Sequence, residues 1–388
     1  MAESRVRIGM LALFLTLVAV STWQRGVFTR THATFPIFRQ SFVHLRAGQD
    51  LYARYPTEQG PRDDDRFKYA PSAAVFLAPL AALPFVPALF LWTALNALAL
   101  FFAVGRLLPG RDGTTALLII FPALIPAIQS TSSNALIAAL LVLSYLALER
   151  HHIVRASLAI AAGTLMKLYP VAVMPFLLTQ PRPRRALAIV ALAFAGLIAL
   201  PLLVTSPGEL LTQYRSWMAV LFADERDLSF ARSIMVTVRT WTGTAGTNWA
   251  YQLAATMLLV TPLAVRRAAW TDSAFRRNLL ASLLIYVVIF NHQAENASYV
   301  VAAVGLALWF VSAKRTWPRV VLLAFCLVGL EAVPYTLVWL WMQFDLLELQ
   351  RVWARLRALR PAPAAGITAT SRIPRAIQPS SVAEALEA

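Results

Sequence analysis

Runs of about 20 apolar residues recur along the whole of this chain, with short clusters of arginine standing between them. A run of that length crosses a bilayer as a helix. Inside hydrocarbon a helix is one of the few backbones that satisfy their own polar groups. The composition agrees: the 388 residues are 59% hydrophobic and 14% charged, against about 25% charged in soluble domains. The expected fold is therefore all-α, a polytopic helical membrane protein. Residues 1–350 form its single transmembrane domain, and 351–388 a basic and then disordered tail. The first run, 6–23, has no small-residue cleavage site before the loop that follows, so it reads as a retained helix.

A net charge of +16 invites a nucleic-acid reading. The basic residues, however, sit in short clusters between apolar runs, which is the cytoplasmic-loop bias of membrane proteins and not a binding stripe. No nucleic-acid partner is expected. The single cysteine, Cys326, lies inside an apolar run, excludes an internal disulfide and reads as a packing residue.

The same clusters set a topology. Arg5 and Arg7, Arg106 and Arg111, Arg150 and Arg155, Arg182 to Arg185, Arg266 to Arg277, and Lys314 with Arg315 share one face under two conditions. Segment 72–83, about 18 Å long as a helix, must be too short to cross and turn at Pro84 and Pro87. Runs 156–166 and 171–178 must form a hairpin folded at Lys167-Leu168-Tyr169-Pro170. The count is then about ten transmembrane or half-membrane helices. The last run, 320–341, is interrupted by Glu331 and Pro334; it crosses once or bends back as a broken pair, and the basic stretch 351–360 favours the pair.

On the other face lie two long extracytoplasmic loops, 24–69 and 205–248, and two polar turns, 129–134 and 292–296. Each long loop carries an amphipathic helix suited to the membrane interface. One places Phe35, Phe38, Phe42 and Leu45 on a stripe. The other starts at Ser206-Pro207-Gly208-Glu209, an N-cap, a proline and a glutamate three residues on, and carries Leu210, Tyr214, Trp217, Met218 and Leu221.

Chemistry-bearing residues gather on that face. Asp63-Asp64-Asp65 is a source of a general base, with Asp65 favoured by its closeness to Lys68 and Tyr69, or else a solvated turn. Its oxygens would suit Mg²⁺ or Mn²⁺, but three consecutive acids point in different directions, so no metal or other cofactor is expected. His292 and Glu295 sit three apart, on one face if the turn is helical, as a base or acceptor-binding pair or as a capping network. They lack the remaining ligands of a zinc site. Lys167, inside an apolar hairpin, holds a lipid phosphate or snorkels to the interface. Arg232, with Asp224 nearby, neutralises a phosphate or forms a surface pair. The chain has no phosphate-cradling glycine loop, no serine nucleophile elbow, no C-x-x-C and no soluble domain for a nucleotide donor.

Several segments in order carry a resemblance over residues 6–311. They are Phe35-Pro36-Ile37-Phe38, then Gly48-Gln49-Asp50-Leu51-Tyr52 closing at Lys68-Tyr69-Ala70-Pro71, and Ala78-Pro79-Leu80 with Leu83-Pro84. Ser132-Ser133-Asn134-Ala135-Leu136, the Lys167 hairpin and Ile289-Phe290-Asn291-His292-Gln293-Ala294-Glu295 follow. Together the chain resembles the family 87 glycosyltransferases of the GT-C superfamily. The resemblance implies a multi-pass enzyme of the inner (plasma) membrane that moves a mannose-like hexose. The donor would be a polyprenyl-phosphate sugar, the acceptor a hydroxyl of a lipid or glycan, and the outcome inversion. It implies a carboxylate or histidine base, for which the candidates here are Asp65, Asp224, His292 and Glu295, with Lys68, Tyr69, Asn134, Lys167 and Arg232 the candidates for substrate binding. Family members commonly carry an aspartate just before the Phe-Pro-Ile-Phe-like segment, where this chain has Thr34. A transporter or flippase of a lipid-linked precursor, or a non-catalytic membrane subunit, are the rival readings.

Overall fold

The computed structural model describes residues 2–28, 34–55, 66–223, 232–243, 248–329 and 331–349. Among these residues every regular element is helical. In chain order they are α1 (Ala2–Trp23), α2 (Phe35–Arg46), α3 (Pro71–Phe76), α4 (Ala78–Ala81), α5 (Phe85–Leu107), α6 (Gly110–Gln129), α7 (Asn134–Glu149) and α8 (Ile153–Met166). A 3₁₀ segment, Tyr169–Leu177, precedes α9 (Pro183–Ala199), α10 (Pro207–Ala223), α11 (Ile234–Thr242) and α12 (Asn248–Val265). Then come α13 (Ser273–Ile289), α14 (Tyr299–Val311), α15 (Trp317–Gly329) and α16 (Ala332–Leu346).

Among the described residues, four stretches are long and apolar enough to cross a membrane: Arg5–Phe28, Phe85–Leu107, Gly110–Gln129 and Pro183–Leu203. The last shows why the solvent must be lipid. Only Ala186 and Val190 of α9 are buried, while Leu192 is 72% and Leu203, just beyond it, 76% exposed. So much uncovered apolar surface is foreign to a soluble monomer. α14 is the opposite case: Tyr299 through Phe310 are all buried, so this helix, apolar on every side, forms the centre. It packs on α13 and α6, with α7 beside it. Gly305 permits the α13 contact, since a Cβ there would lie 2.4 Å from the Ala281 carbonyl oxygen. Small residues that let backbones approach are the usual means of helix association in lipid.

The short segments show the breaks expected at Pro84, in the Lys167 hairpin and before Pro334. Segment 72–83 is two stubs, α3 and α4, turning at Pro84; Pro87 sits inside the first turn of α5, where a missing N–H costs nothing. The hairpin is α8 folded against the 3₁₀ segment. The final run is a broken pair, with Glu331 at the N-cap position of α16 and Arg319 of α15 reaching back to Asp345 at 3.3 Å. Arg319 also lies over Trp309 and Trp341. Residues 351–388, expected to form a basic and then disordered tail, lie outside the described ones.

Polar contacts sort into two ends of the bundle. One end holds the Arg276–Glu149 ion pair, His151 Nδ1 with Gln180, and Arg266 donating to the Leu346 carbonyl. The other holds Arg25 donating to the Gln129 carbonyl and Thr34 to that of Ser130.

α2 differs from expectation. Its stripe does not lie bare for the membrane surface: Phe35, Phe38 and Leu45 are buried in the protein, with Phe35 5.6 Å from Phe85 and Phe38 5.2 Å from Trp92. A hydrophobic stripe records that a face is covered, not by what. α10 has the expected capping box, Ser206 N–H donating to Glu209 Oε2 at 2.9 Å, which holds the exposed Glu209 carboxyl below its usual range. Its inner face, too, meets protein, through Leu210, Gln213 and Val220, while Met218 faces outward.

Gly305→Ala should destabilise the protein by about 1–3 kcal/mol through overpacking. Gly196→Ala in α9, where a Cβ would meet nothing within 4 Å, should stabilise it by about 0.5–1 kcal/mol. Thermal unfolding in detergent micelles reads both; a neutral Gly305→Ala would refute the close α13–α14 crossing.

Candidate functional site

At the end of the bundle away from the Arg276–Glu149 pair, the α6–α7 turn anchors the first long loop. Phe35 N–H donates to Thr131 Oγ1 at 3.0 Å, and Trp92 Nε1 donates to the Thr131 carbonyl at 2.7 Å. These bonds hold Thr131 at φ 55°, a left-handed conformation that β-branched residues avoid. The turn leads into Asn134, buried at the start of α7.

Lys167 meets Asn134 there. α8 stops at Met166 because Lys167 turns to an extended conformation, φ −161° and ψ 133°. Its N–H still donates to the Gly163 carbonyl at 2.7 Å. Gly163 has no side chain where Pro170 folds back; a Cβ would lie 2.8 Å from Pro170 Cγ. So placed, Lys167 Nζ donates to Asn134 Oδ1 at 2.7 Å and lies 5.0 Å over the Tyr169 ring. Asn134 is fixed in turn, its Nδ2 donating to Ser132 Oγ. The Tyr169 hydroxyl accepts from Asn291 Nδ2.

Tyr69 completes the cluster. Ala70 N–H donates to the Leu165 carbonyl at 3.0 Å, which pins Tyr69 two residues from Lys167 in register. Its ring stands 5.0 Å from Phe38 and 5.5 Å from Phe67. Burial raises the Tyr69 phenol above its usual range; Lys167 and the Ser133 hydroxyl oppose this, and Glu295 and Tyr169 add to it. At neutral pH Tyr69 is thus a hydrogen-bond donor. The Tyr169 and Tyr69 phenols and the Glu295 carboxylate stand around Lys167.

The second long loop closes the site from outside. Trp217 Nε1 of α10 donates to the Lys68 carbonyl at 3.1 Å, and Gln213 bridges the Gln49 carbonyl and the Leu51 N–H. Arg232 N–H donates to the Ala294 carbonyl at 2.6 Å, and the Arg232 carbonyl accepts from Tyr299. The Arg232 side chain is exposed beside the 292–296 turn.

Across this same ground, the sequence pattern of glycosyltransferase family 87 matches residues 67–291, more than half of the chain. The chain belongs to glycosyltransferase family 87. No curated protein matches it. With its apolar helices, this family 87 glycosyltransferase is a membrane protein.

The expected site residues divide clearly. Lys167, Asn134, Tyr69 and Glu295 gather, and Arg232 joins them through its backbone. Lys68 contributes its carbonyl, while its side chain is exposed. Asp65 and Asp224 lie outside the described residues. His292 and Glu295 do not share a helical face. Asn291 Oδ1 accepts from Gln293 N–H, and Glu295 caps the short turn Asn296–Ser298. The capping alternative therefore holds for Glu295, whose exposed carboxylate still faces Lys167 and Tyr69. Sequence reasoning missed Ser133, Tyr169 and Asn291 as members. The signal was adjacency: each stands within two residues of a candidate.

In family 87 terms the cluster is one ammonium held by a neutral amide and ringed by phenols. Asn134→Leu should remove the acceptor of a charged donor and destabilise the protein by about 1–3 kcal/mol. Adding Lys167→Met should recover much of that loss. A double-mutant cycle read by detergent-phase unfolding tests the coupling; additive effects would refute it.

Proposed function

We propose that this glycosyltransferase moves a hexose, of mannose type, from a polyprenyl-phosphate sugar to a hydroxyl on a lipid or glycan acceptor. The reaction takes place at the extracytoplasmic face of the inner (plasma) membrane, in a protein of about ten full or half-membrane helices. The observation that carries this reading is the Lys167 ammonium at the loop-bearing end of the bundle, beside the polar start of α7. A lipid phosphate keeps its tail among helices and its charge at the surface, and a half-buried ammonium there has the matching sign.

The acceptor hydroxyl oxygen attacks the anomeric carbon, and the carbon–oxygen bond to the lipid phosphate breaks with inversion. The hydroxyl proton passes to a base, and the departing phosphate keeps the bonding electron pair. Lys167, with Tyr69 as a neutral donor and Arg232 at the rim, stabilises that developing negative charge. The base comes from Asp65, Asp224, His292 and Glu295, of which His292 and Glu295 border the site. Thr34 does not serve, because its hydroxyl donates to the Ser130 carbonyl at 2.9 Å. No metal is assigned a part. Transport fits less well, since transporters place polar groups at midplane breaks, whereas the polar cluster here lies at one end.

Purified protein with labelled polyprenyl-phosphate mannose should release lipid phosphate. Lys167→Met should lower turnover by a factor of about 100 or more, with Lys167→Arg partly restoring it. Among Asp65→Asn, Asp224→Asn, His292→Ala and Glu295→Gln, one should lose a factor of about 10²–10⁴. Four fully active variants would end the base assignment, and label crossing proteoliposomes without release would favour transport.

A further inference from the structure

At the opposite end of α8 from Lys167 there is a cavity of about 480 Å³. α8 has 14 residues, so the two sites stand roughly 20 Å apart along it. Arg155, Arg182 and Arg185 line the cavity together with His151, His152 and Gln180. The lining contains no Asp or Glu. The nearby carboxylate in sequence, Glu149, is already held by both arms of Arg276, at 2.6 and 2.7 Å. Among the described residues none of the three arginines makes an ion pair or hydrogen bond, and all three are exposed. Gln180 is buried, and its side chain is fixed by His151 Nδ1 at 3.0 Å, so the floor of the cavity is set.

Three unneutralised guanidiniums around one cavity are suited to a phosphate group, which they bind through charge-assisted and paired hydrogen bonds. The N-termini of α8 and α9 both open here and add partial positive charge. The remaining wall is apolar, including Val154 and Ile189. Along α9 the apolar surface continues uncovered through Leu187 and Leu192. A soluble phosphate has no use for that strip; acyl chains do.

We infer that this cavity binds the phosphate of an anionic lipid headgroup, with the acyl chains lying along α9. Basic pockets between helices are a recurring means of holding such headgroups. The site is separate from the Lys167 cluster, and its occupancy does not depend on sugar transfer.

The test is native mass spectrometry of the full-length protein in detergent, titrated with phosphatidylglycerol, with phosphatidylcholine and, separately, with inorganic phosphate. Wild-type protein should retain phosphatidylglycerol in preference to phosphatidylcholine. Each of Arg155→Gln, Arg182→Gln and Arg185→Gln should weaken that retention about fivefold. The control single variants Arg111→Gln, Arg267→Gln and Lys314→Gln each remove the same one charge outside the cavity and should keep wild-type retention. Equal losses in pocket and control variants would show only a diffuse basic face and overturn the site. Binding of inorganic phosphate without retention of phosphatidylglycerol would overturn the lipid reading. Circular dichroism and the thermal midpoint, expected unchanged, distinguish lost binding from lost folding.

Discussion

A lysine at the tip of a hairpin made of two short apolar arms is a costly object, and the bond from Lys167 Nζ to Asn134 Oδ1 is what makes it tolerable. The amide oxygen meets the ammonium without neutralising it. The Tyr169 ring offers its face, and Asn291 fixes the Tyr169 hydroxyl. The charge is therefore held by neutral groups, and the Glu295 carboxylate that faces it is exposed. Gly163 is the backbone counterpart of this arrangement. Without its open space Pro170 could not fold back, and Lys167 would continue as helix on another face.

The loops depend on the same place. Tyr69 reaches Lys167 because Ala70 is bonded to Leu165, and Tyr69 is held from behind when Tyr52 donates to its carbonyl. α10 comes from far along the sequence to bond Lys68, Gln49 and Leu51. Arg232 and the turn after α13 are joined by a backbone bond. Four polar segments, each unable to lie in lipid, thus cover one another over one cluster. Each hydrogen bond is modest alone; their common dependence on α6, α7 and α8 gives the site its shape.

The bundle was largely legible because lipid imposes two strong rules, on apolar length and on where arginine settles. Those rules place the broken pair α15–α16, the stubs α3 and α4 and the Lys167 hairpin at their observed positions. They do not say what covers an amphipathic face. The Phe35, Phe38 and Leu45 stripe is equally suited to lipid and to Trp92, and only the anchoring of α2 to Thr131 decides between them. In the site, charged residues announce themselves from sequence, as Lys167 and Glu295 do. Neutral partners such as Ser133, Tyr169 and Asn291 look ordinary until the chain is folded. The His292–Glu295 spacing misled because a period of three has meaning only on a helix, and Asn291 bends this segment into a turn.

Thr34 is best understood through the same hydrogen-bond accounting. Its N–H and its hydroxyl both point at one acceptor, the Ser130 carbonyl, at 3.2 and 2.9 Å. An ionised aspartate in that position would set one acceptor against another, and the corner joining α2 to the α6–α7 turn would have to open. Here the corner is therefore built around a donor. Among the described residues, the carboxylate that faces Lys167 and Tyr69 is instead that of Glu295, in the turn that a backbone bond joins to Arg232.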